Sequence, residues 1–200
     1  MSRSLTTTFL AGLMAFTSNL GLAADWTVDA AHSSIGWSVD HMMVSETEGN
    51  FKKFEGTVTG FDGDDASKAQ VNVTIDVASI DSDNEDRDKH LRSEDFFAVE
   101  KFPTATFKST KIEKKGKGKY MVTGDFTLRG VTKQVTIPMT FKGTSKDPWG
   151  NTRAGFSGDL TINRKDYGLI WNKDLDAGGV AVGDEVRLRL RVETIQKVAP

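Results

Sequence analysis

The chain has 200 residues, no cysteine, and 26 basic against 28 acidic side chains, which gives a formal charge of -2 at pH 7. This near balance lacks the cationic excess of nucleic-acid-binding proteins, and the missing cysteine excludes disulfides, thiolate catalysis and a Cys-ligated metal. Twelve Phe and four Trp stand beside only two Tyr. This aromatic composition indicates either a large core or a large apolar pocket.

The first two dozen residues are typical of a secretory signal peptide. Arg3 supplies a short positive region, and the apolar run that follows is too short to span a bilayer. Small residues favour cleavage after Ala23, with cleavage after Ala24 as the alternative. We therefore expect residues 1–23 to be a signal peptide, residues 24–200 to form one exported domain, and the mature protein to be soluble in the periplasm.

Period-two alternation of apolar side chains dominates the rest of the chain and predicts eight or nine strands. A short strand is expected at Trp26–Val28, and the pattern slips once between Phe51 and Phe61, which predicts a bulge near Gly56. Pro138 predicts a bulge or a poorly paired edge within its strand. The clearest sets of one parity are Ile35/Trp37/Val39/His41, Val71/Val73/Ile75/Val77, Ala105/Phe107/Ser109, Tyr120/Val122/Gly124/Phe126/Leu128, Val135/Ile137/Met139/Phe141, Ala154/Phe156/Gly158/Leu160/Ile162 and Val186/Leu188/Leu190/Val192.

One apolar and one charged face per strand indicates an antiparallel sheet, either closed into a barrel or folded into a sandwich. We favour the barrel because about eight strands of this length can enclose one small ligand. The period breaks at Ser82-Asp83-Asn84-Glu85, which resembles a capping box, and acidic residues precede basic ones in the order that a helix dipole prefers. We therefore expect one short helical insertion around residues 83–98.

The sequence shows little that demands catalysis. His32 and His41 have opposite parity and are expected on opposite faces of one strand, which argues against a shared metal site, and no Gly-x-Ser-x-Gly motif is present. His41 shares the apolar face of Trp37 and Val39, so it is expected inside the barrel or at its mouth. We predict no catalytic residue, no metal and no cofactor.

The excess of Phe and Trp is explained equally well by core packing and by a ligand-lining role. Burying a hydrocarbon chain is favourable by roughly 0.8 kcal/mol per CH2, so such walls can hold a lipid tail without any reactive group. The residues predicted to line the ligand site are Trp37, Val39, His41, Phe51, Phe54, Phe97, Phe102, Phe107, Phe126, Phe141, Phe156, Ile162 and Trp171.

Several motifs in fixed order resemble one family across essentially the whole mature chain. They are His32-Ser33-x-Ile35-x-Trp37-x-Val39-x-His41, Gly49-x-Phe51, Phe54-x-Gly56, the run from Glu85 to Ser93 with Asp95-Phe96, Phe102-Pro103-x-Ala105-x-Phe107-x-Ser109, Gly124-Asp125-x-Thr127-Leu128-x-Gly130-Val131-Thr132, Asp147-Pro148-Trp149-Gly150-x-x-Arg153-Ala154-Gly155-Phe156 and Gly183-Asp184-x-Val186. This set is similar to the YceI family of exported, polyisoprenoid-binding, lipocalin-like bacterial proteins.

The resemblance implies an all-β fold, an extended eight-stranded antiparallel lipocalin-like β-barrel. It implies a long isoprenoid ligand, such as a polyprenyl phenol or quinone, a periplasmic location and frequent homodimers. The expected role is a carrier in quinone metabolism, transport or storage, or in the envelope stress response, with transient membrane contact but no membrane-spanning segment. The charged residues Asp86, Arg87, Lys89 and Arg92 are expected to fix a loop over the barrel.

Other functions stay open at this stage. The barrel could carry other long-chain amphiphiles such as fatty acids or amides. It could also act as an enzyme on a lipid-like substrate with His41 as acid or base, or serve as a stress-related envelope protein whose cavity is incidental. A second titratable group on the inward face of His41 would favour the enzyme. The strand residues there are mostly apolar, which favours the carrier.

Overall fold

The computed structural model describes residues 26–176 and 178–196, so the expected signal peptide lies outside the described residues. One α-helix, α1, spans Glu85–Arg92. The strand segments are β1 Trp26–Val28, β2 Ser34–His41, β3 Ser45–Phe51, β4 Phe54–Thr59, β5 Gln70–Asp76, β6 Ile80–Asp81, β7 Thr104–Gly116, β8 Lys119–Leu128, β9 Val131–Lys146, β10 Thr152–Asn163 and β11 Val182–Gln196.

These segments form a closed antiparallel barrel. β1 pairs with both β4 and β11, which closes the order β1-β4-β5-β7-β8-β9-β10-β11 on itself. β2 continues β1 along β11, β3 pairs with β2, and β6 pairs with β3. The pairs β1/β2, β3/β4 and β5/β6 are therefore three bent strands, and the barrel has eight strands in total. The predicted all-β barrel and the short N-terminal strand are confirmed.

The bends occur where short turns interrupt the ladder. Asp29 caps the 3-10 helix Ala30–His32 between β1 and β2, and Asp76 caps the 3-10 helix Val77–Ser79 between β5 and β6. The predicted bulge near Gly56 is wrong, because the register of β4 with β5 runs unbroken through that residue. The apolar alternation is interrupted instead at Lys52 and Lys53, between β3 and β4. The backbone N–H of Lys52 donates to the backbone oxygen of Ser79, and that of Lys53 donates to the Ser79 hydroxyl.

The helical insertion is confirmed, but its cap differs from the prediction. Asn84 is the N-cap and accepts from the backbone N–H of Arg87 at 2.9 Å. Ser82 is not a cap: its N–H and hydroxyl both donate to Asp88, at 3.0 and 2.6 Å. A hydrogen-bonded turn from Ser93 continues the insertion. The buried Asp88 carboxylate thus ties α1 to the end of β6.

One end of the barrel is closed by a cluster of aromatic rings. Phe61, in the loop after β4, is fully buried, and its ring lies 5.0 Å from Trp26, 5.6 Å from Phe141 and 5.6 Å from Phe156. The indole N–H of Trp26 donates to the backbone oxygen of Phe61 at 3.0 Å. We call this the closed end. Helix α1 and the segment between β10 and β11 lie at the opposite end.

Strand β9 is paired unevenly along its length. It pairs with β8 over residues 131–140, whereas its pairs with β10 run from Met139, opposite Gly158, to Lys146, opposite Thr152. Pro138 directly precedes Met139, so it pairs with Met121 of β8 but lies just outside the ladder with β10, in agreement with the prediction of a poorly paired edge. Proline has no backbone N–H to donate. It is tolerated at this position because β10 does not pair with β9 there, so no backbone oxygen of β10 loses a hydrogen bond.

Candidate ligand-binding cavity

The barrel encloses one large apolar cavity, with about 390 Å³ of space that can hold the centre of a water-sized sphere. Alternate residues of the strands face it, as in the run Val186, Leu188, Leu190 and Val192 of β11. Of the 43 residues that line it, 35 are apolar. Strand periodicity therefore builds a container whose walls offer hydrocarbon contact almost everywhere.

Most of the residues predicted for the ligand site surround this cavity. The structure places eleven of the thirteen on its wall: Trp37, Val39, His41, Phe51, Phe54, Phe97, Phe107, Phe126, Phe156, Ile162 and Trp171. Nine of them lie on strands whose alternation turns them toward the cavity, and Phe97 and Trp171 reach the wall from segments outside the strands. That this wall binds a ligand stays a prediction.

Phe141 and Phe102 do not line the cavity. Phe141 packs against Phe61 and Phe156, with ring centroids at 5.6 and 5.3 Å, so the loop carrying Phe61 separates it from the cavity. Phe102 lies at the rim, where its ring covers Gly130 and the Arg129 guanidinium lies 6.0 Å from its centroid. In both cases contacts with a loop or turn, which have no strand period, decide where the ring lies, so strand alternation alone does not place these two rings.

Two kinds of lining residue that the prediction omits differ in the signal that the sequence gives for them. The aliphatic wall, for example Ile35, Val73, Leu188 and Leu190, has the parity of the chosen aromatics, so the same signal could find it. The polar residues Arg87, His90 and Arg164 come from α1 and from the 3-10 helix Arg164–Tyr167. No strand period marks those positions in the sequence.

Most polar lining residues lie at the end opposite the closed end, whereas Tyr120 and Thr194 line the cavity at the closed end. Asp40, His41 and Thr47 reach the cavity from β2 and β3, and Arg87 and His90 reach it from α1. Asp40 and Arg87 are exposed, and the other three are half-buried. We call these five residues the mouth. Exposed residues that line the cavity show that it opens to solvent here.

The rings of His90, Phe96 and Trp171 pack together beside the mouth. The His90 ring packs edge-on against Trp171 at 4.9 Å and Phe96 at 5.0 Å between centroids, and its Nε2 lies 3.0 Å from a carboxylate oxygen of Asp95. The ring nitrogens of His90 thereby place polar atoms among otherwise apolar rings. This arrangement suits an amphiphile whose tail enters the cavity while its head stays near water.

Arg164 is a buried cation in the cavity wall. Its guanidinium donates to the backbone oxygens of Gly183, Leu169, Trp171 and Val182. Burial lowers its pKa from the ordinary value, and Asp184, 3.7 Å away, opposes that shift. These bonds fix the segment between β10 and β11 that carries Leu169 and Trp171 to the cavity. Within the described residues, the buried Nε1 of Trp37 has no hydrogen-bond partner, which leaves one donor unsatisfied in the wall.

A second charged cluster lies outside the cavity, where β1, β10 and β11 meet. Arg153 bonds to Asp29, Asp147 and Glu193. Hydrogen bonds from Arg153 and then from His32 lower the pKa of Asp29 to about 2. Asp29, His32 and Glu193 are close enough together to bind a cation. Arg153 already supplies positive charge between the two carboxylates, so the cluster is better explained as a structural tie.

The architecture and the cavity together define the class of protein. A closed antiparallel barrel of eight strands with a hollow apolar interior is the lipocalin-like arrangement. Within the described residues, no helix is both long and apolar enough to cross a bilayer.

Comparison with known proteins narrows this class to a family. The YceI-like domain matches residues 26–194. A UPF0312 protein of Photorhabdus laumondii is 45% identical over 159 residues, which is 78% of this chain and 82% of that relative. The chain therefore belongs to the YceI-like family.

Two solved structures share the fold. BcnA of Burkholderia cenocepacia is 32% identical and superposes with a TM-score of 0.71 over 83% of this chain and 98% of BcnA. A polyisoprenoid-binding domain from Saccharophagus degradans, implicated in plant cell wall breakdown, is 14% identical and superposes with a TM-score of 0.64 over 88% of this chain and 99% of that domain. The latter likeness concerns the fold alone.

Proposed function

We propose that this protein is a periplasmic carrier that binds a long isoprenoid lipid, of the polyprenyl phenol or quinone type, inside the barrel. The observation that carries the proposal is the cavity, with 35 apolar residues among its 43 and six of the eight polar ones at the end opposite the closed end. An isoprenoid tail matches the walls, and a polar head matches the mouth. The S. degradans neighbour, a polyisoprenoid-binding domain, supports the same ligand class.

The energetics favour a long chain over a small apolar molecule. Transfer of each CH2 from water contributes roughly 0.8 kcal/mol before the costs of immobilising the ligand are subtracted. A ligand with many such groups keeps a favourable balance, whereas a short one loses much of it. The periplasmic location rests on the signal-peptide pattern at the N-terminus of the sequence.

The test is native mass spectrometry of protein purified from its own periplasm, followed by solvent extraction of the bound lipid. We expect one long isoprenoid per barrel, and we expect emptied protein to bind an added polyprenyl phenol. Recovery of a fatty acid or amide would assign the cavity to another amphiphile. Empty protein that fails to bind any polyprenyl phenol or quinone would refute the carrier.

A pair of neighbouring variants ties binding to the cavity. Leu160 lines the cavity and Thr161 is exposed on the other face of β10. Leu160→Asp places a charge among apolar walls and should abolish lipid loading, whereas Thr161→Asp adds the same charge outside and should retain it. Circular dichroism establishes that both variants are folded. Equal loading of the two folded variants would contradict binding inside the barrel.

A further inference from the structure

Five large apolar side chains in the described part of the chain are exposed, and three of them are consecutive. Met42, Met43 and Val44 form the turn between β2 and β3, with relative exposures of 46%, 69% and 85%. The other two are Trp149 and Ile170. A single exposed apolar residue is ordinary, but three in a row on a projecting turn leave hydrocarbon in water that folding could have buried.

The backbone of this turn is also unusual for its sequence. Met42 and Met43 have φ of +53° and +63°, and the N–H of Val44 donates to the backbone oxygen of His41 at 3.2 Å. Two successive left-handed residues are the geometry of a type I′ turn, which asparagine and glycine adopt most readily. Methionine at both positions is therefore unfavourable for the turn itself, and a role outside the fold explains it better.

The turn adjoins the mouth of the cavity. His41, the residue before Met42, is one of the five mouth residues, and Asp40 is another. The N–H of Met42 donates to the backbone oxygen of Ala181 at 2.9 Å, just before β11 begins. Ile170 is next to Trp171, which lines the cavity. Four of the five exposed apolar side chains, Met42, Met43, Val44 and Ile170, thus continue the apolar wall outward from the opening.

The charges behind the turn are balanced. On β3 and β11, Glu46 lies 3.5 Å from Arg187, and Glu48 lies 2.6 Å from Arg189. These two carboxylates are therefore paired with arginines and do not form a charged patch of one sign behind the turn. The apolar turn is also far smaller than a stable protein interface, which takes roughly 20–30 residues from each side.

We propose that the Met42–Val44 turn inserts into the surface of a lipid bilayer and holds the mouth of the cavity against it. The inference rests on the proposed function in one respect, because a prenyl chain that passes between membrane and barrel explains why the turn lies at the opening. Apolar side chains at the tip enter the interfacial layer, while the charged faces of the strands stay in water. Docking is reversible because few side chains take part.

The Lys-rich end of the β7–β8 hairpin is the competing membrane contact. Lys114 pairs with Asp65, and Lys111 and Lys115 pair with Glu113. This hairpin lies at the closed end, since Lys114 is opposite Tyr120 of the closed-end cluster. The two contacts differ in salt dependence, because lysine attraction to anionic lipid is screened by salt and apolar insertion is not.

The test is flotation of the ligand-free mature protein with vesicles of phosphatidylcholine alone and of phosphatidylethanolamine with phosphatidylglycerol, at low salt and at 0.5 M salt. The variant Met42→Asn/Met43→Gly removes two of the three apolar side chains of the turn and gives it its preferred residues, so its thermal stability should equal or exceed that of the wild type. We expect its partition coefficient to fall at least tenfold, about 1.4 kcal/mol. Trp149→Ser is the matched control, because Trp149 is 79% exposed in the turn at the opposite end of β10, and it should bind as the wild type does.

Three results would overturn the proposal. They are equal partitioning of the turn variant and the wild type, binding that requires anionic lipid and disappears at 0.5 M salt, and binding to native membranes but not to lipid-only vesicles. The last result would assign the turn to a membrane protein. Uptake of a polyprenyl phenol in solution is measured separately on the same proteins and should be the same in all three. If the wild-type protein takes up no polyprenyl phenol, the carrier function is refuted, whereas the result of the vesicle experiment remains valid.

Discussion

Glycines inside the barrel allow large side chains to lie flat against the wall. A Cβ on Gly49 would lie 2.6 Å from the Trp37 ring, and one on Gly124 would lie 2.5 Å from the Phe107 ring. Both are far inside van der Waals contact. An aromatic ring that covers a glycine on the next strand compensates for the side chain missing there. The rings also stay close to the wall, which leaves the centre of the barrel open.

Gly124→Ala should therefore destabilise the fold by about 1–3 kcal/mol, the usual cost of overpacking. The new methyl group would meet the Phe107 ring and the backbone oxygen of Lys108, also at 2.5 Å, and the backbone oxygen cannot rotate away. Urea unfolding measures the loss. Gly155→Ala is the control, because its Cβ would meet Lys142 at an ordinary 3.4 Å, and it should change stability by less than about 0.5 kcal/mol. Equal losses for the two variants would contradict close packing over Gly124.

At the scale of elements, α1 is held in place by its own arginines. Arg92 donates to the backbone oxygens of Ala78 and Ile80 at 2.7 and 2.6 Å, and Arg87 donates to the hydroxyl and the backbone oxygen of Ser82, both at 2.7 Å. An eight-residue helix is marginal by itself in water. These bonds to the β5–β6 strand fix α1 where His90 and Leu91 reach the cavity.

Arg92→Glu should lower both stability and lipid retention. It removes two charge-assisted bonds and brings a carboxylate toward two carbonyl oxygens, at an expected cost of about 2–4 kcal/mol. Urea unfolding and the dissociation rate of a bound polyprenyl phenol report the two effects. Lys89→Glu makes the same charge change at an exposed position of α1 and should leave both nearly unchanged. If Arg92→Glu changes neither quantity, the helix is not fixed in this way.

Much of this architecture is predictable from the sequence because a strand repeats every two residues. Parity places Trp37, Phe107 and Phe126 on the cavity wall, and turn residues separate the strands. Contacts made by loops are not periodic, so neither the closing role of Phe61 nor the position of Phe102 could be predicted. The buried position of Arg164 depends on backbone oxygens brought together from four residues of a folded segment. Such acceptors leave no side-chain signature in the sequence.

At the scale of the whole molecule, the described part of the chain forms a container that opens at the mouth. Phe61, Trp26, Phe141 and Phe156 close one end by ring contacts within 5.0–5.6 Å, and the mouth lies at the other end beside α1. A chain that enters through the mouth with its head outside can extend only as far as the closed end. The barrel should therefore discriminate among isoprenoids by length, although its walls offer no group that distinguishes one isoprene unit from the next.

Affinity for a series of polyprenyl phenols should rise with chain length and then reach a plateau. Below the plateau, each added isoprene unit buries new hydrocarbon and should tighten binding about tenfold or more. Phe156→Ala removes a ring that both lines the cavity and packs on Phe61, so its plateau should move to longer chains. Phe102→Ala removes a ring of equal size outside the cavity and should leave the plateau where it is. Fluorescence titrations on variants shown to be folded measure the series, and a plateau that stays the same in Phe156→Ala would show that the chain does not end against this cluster.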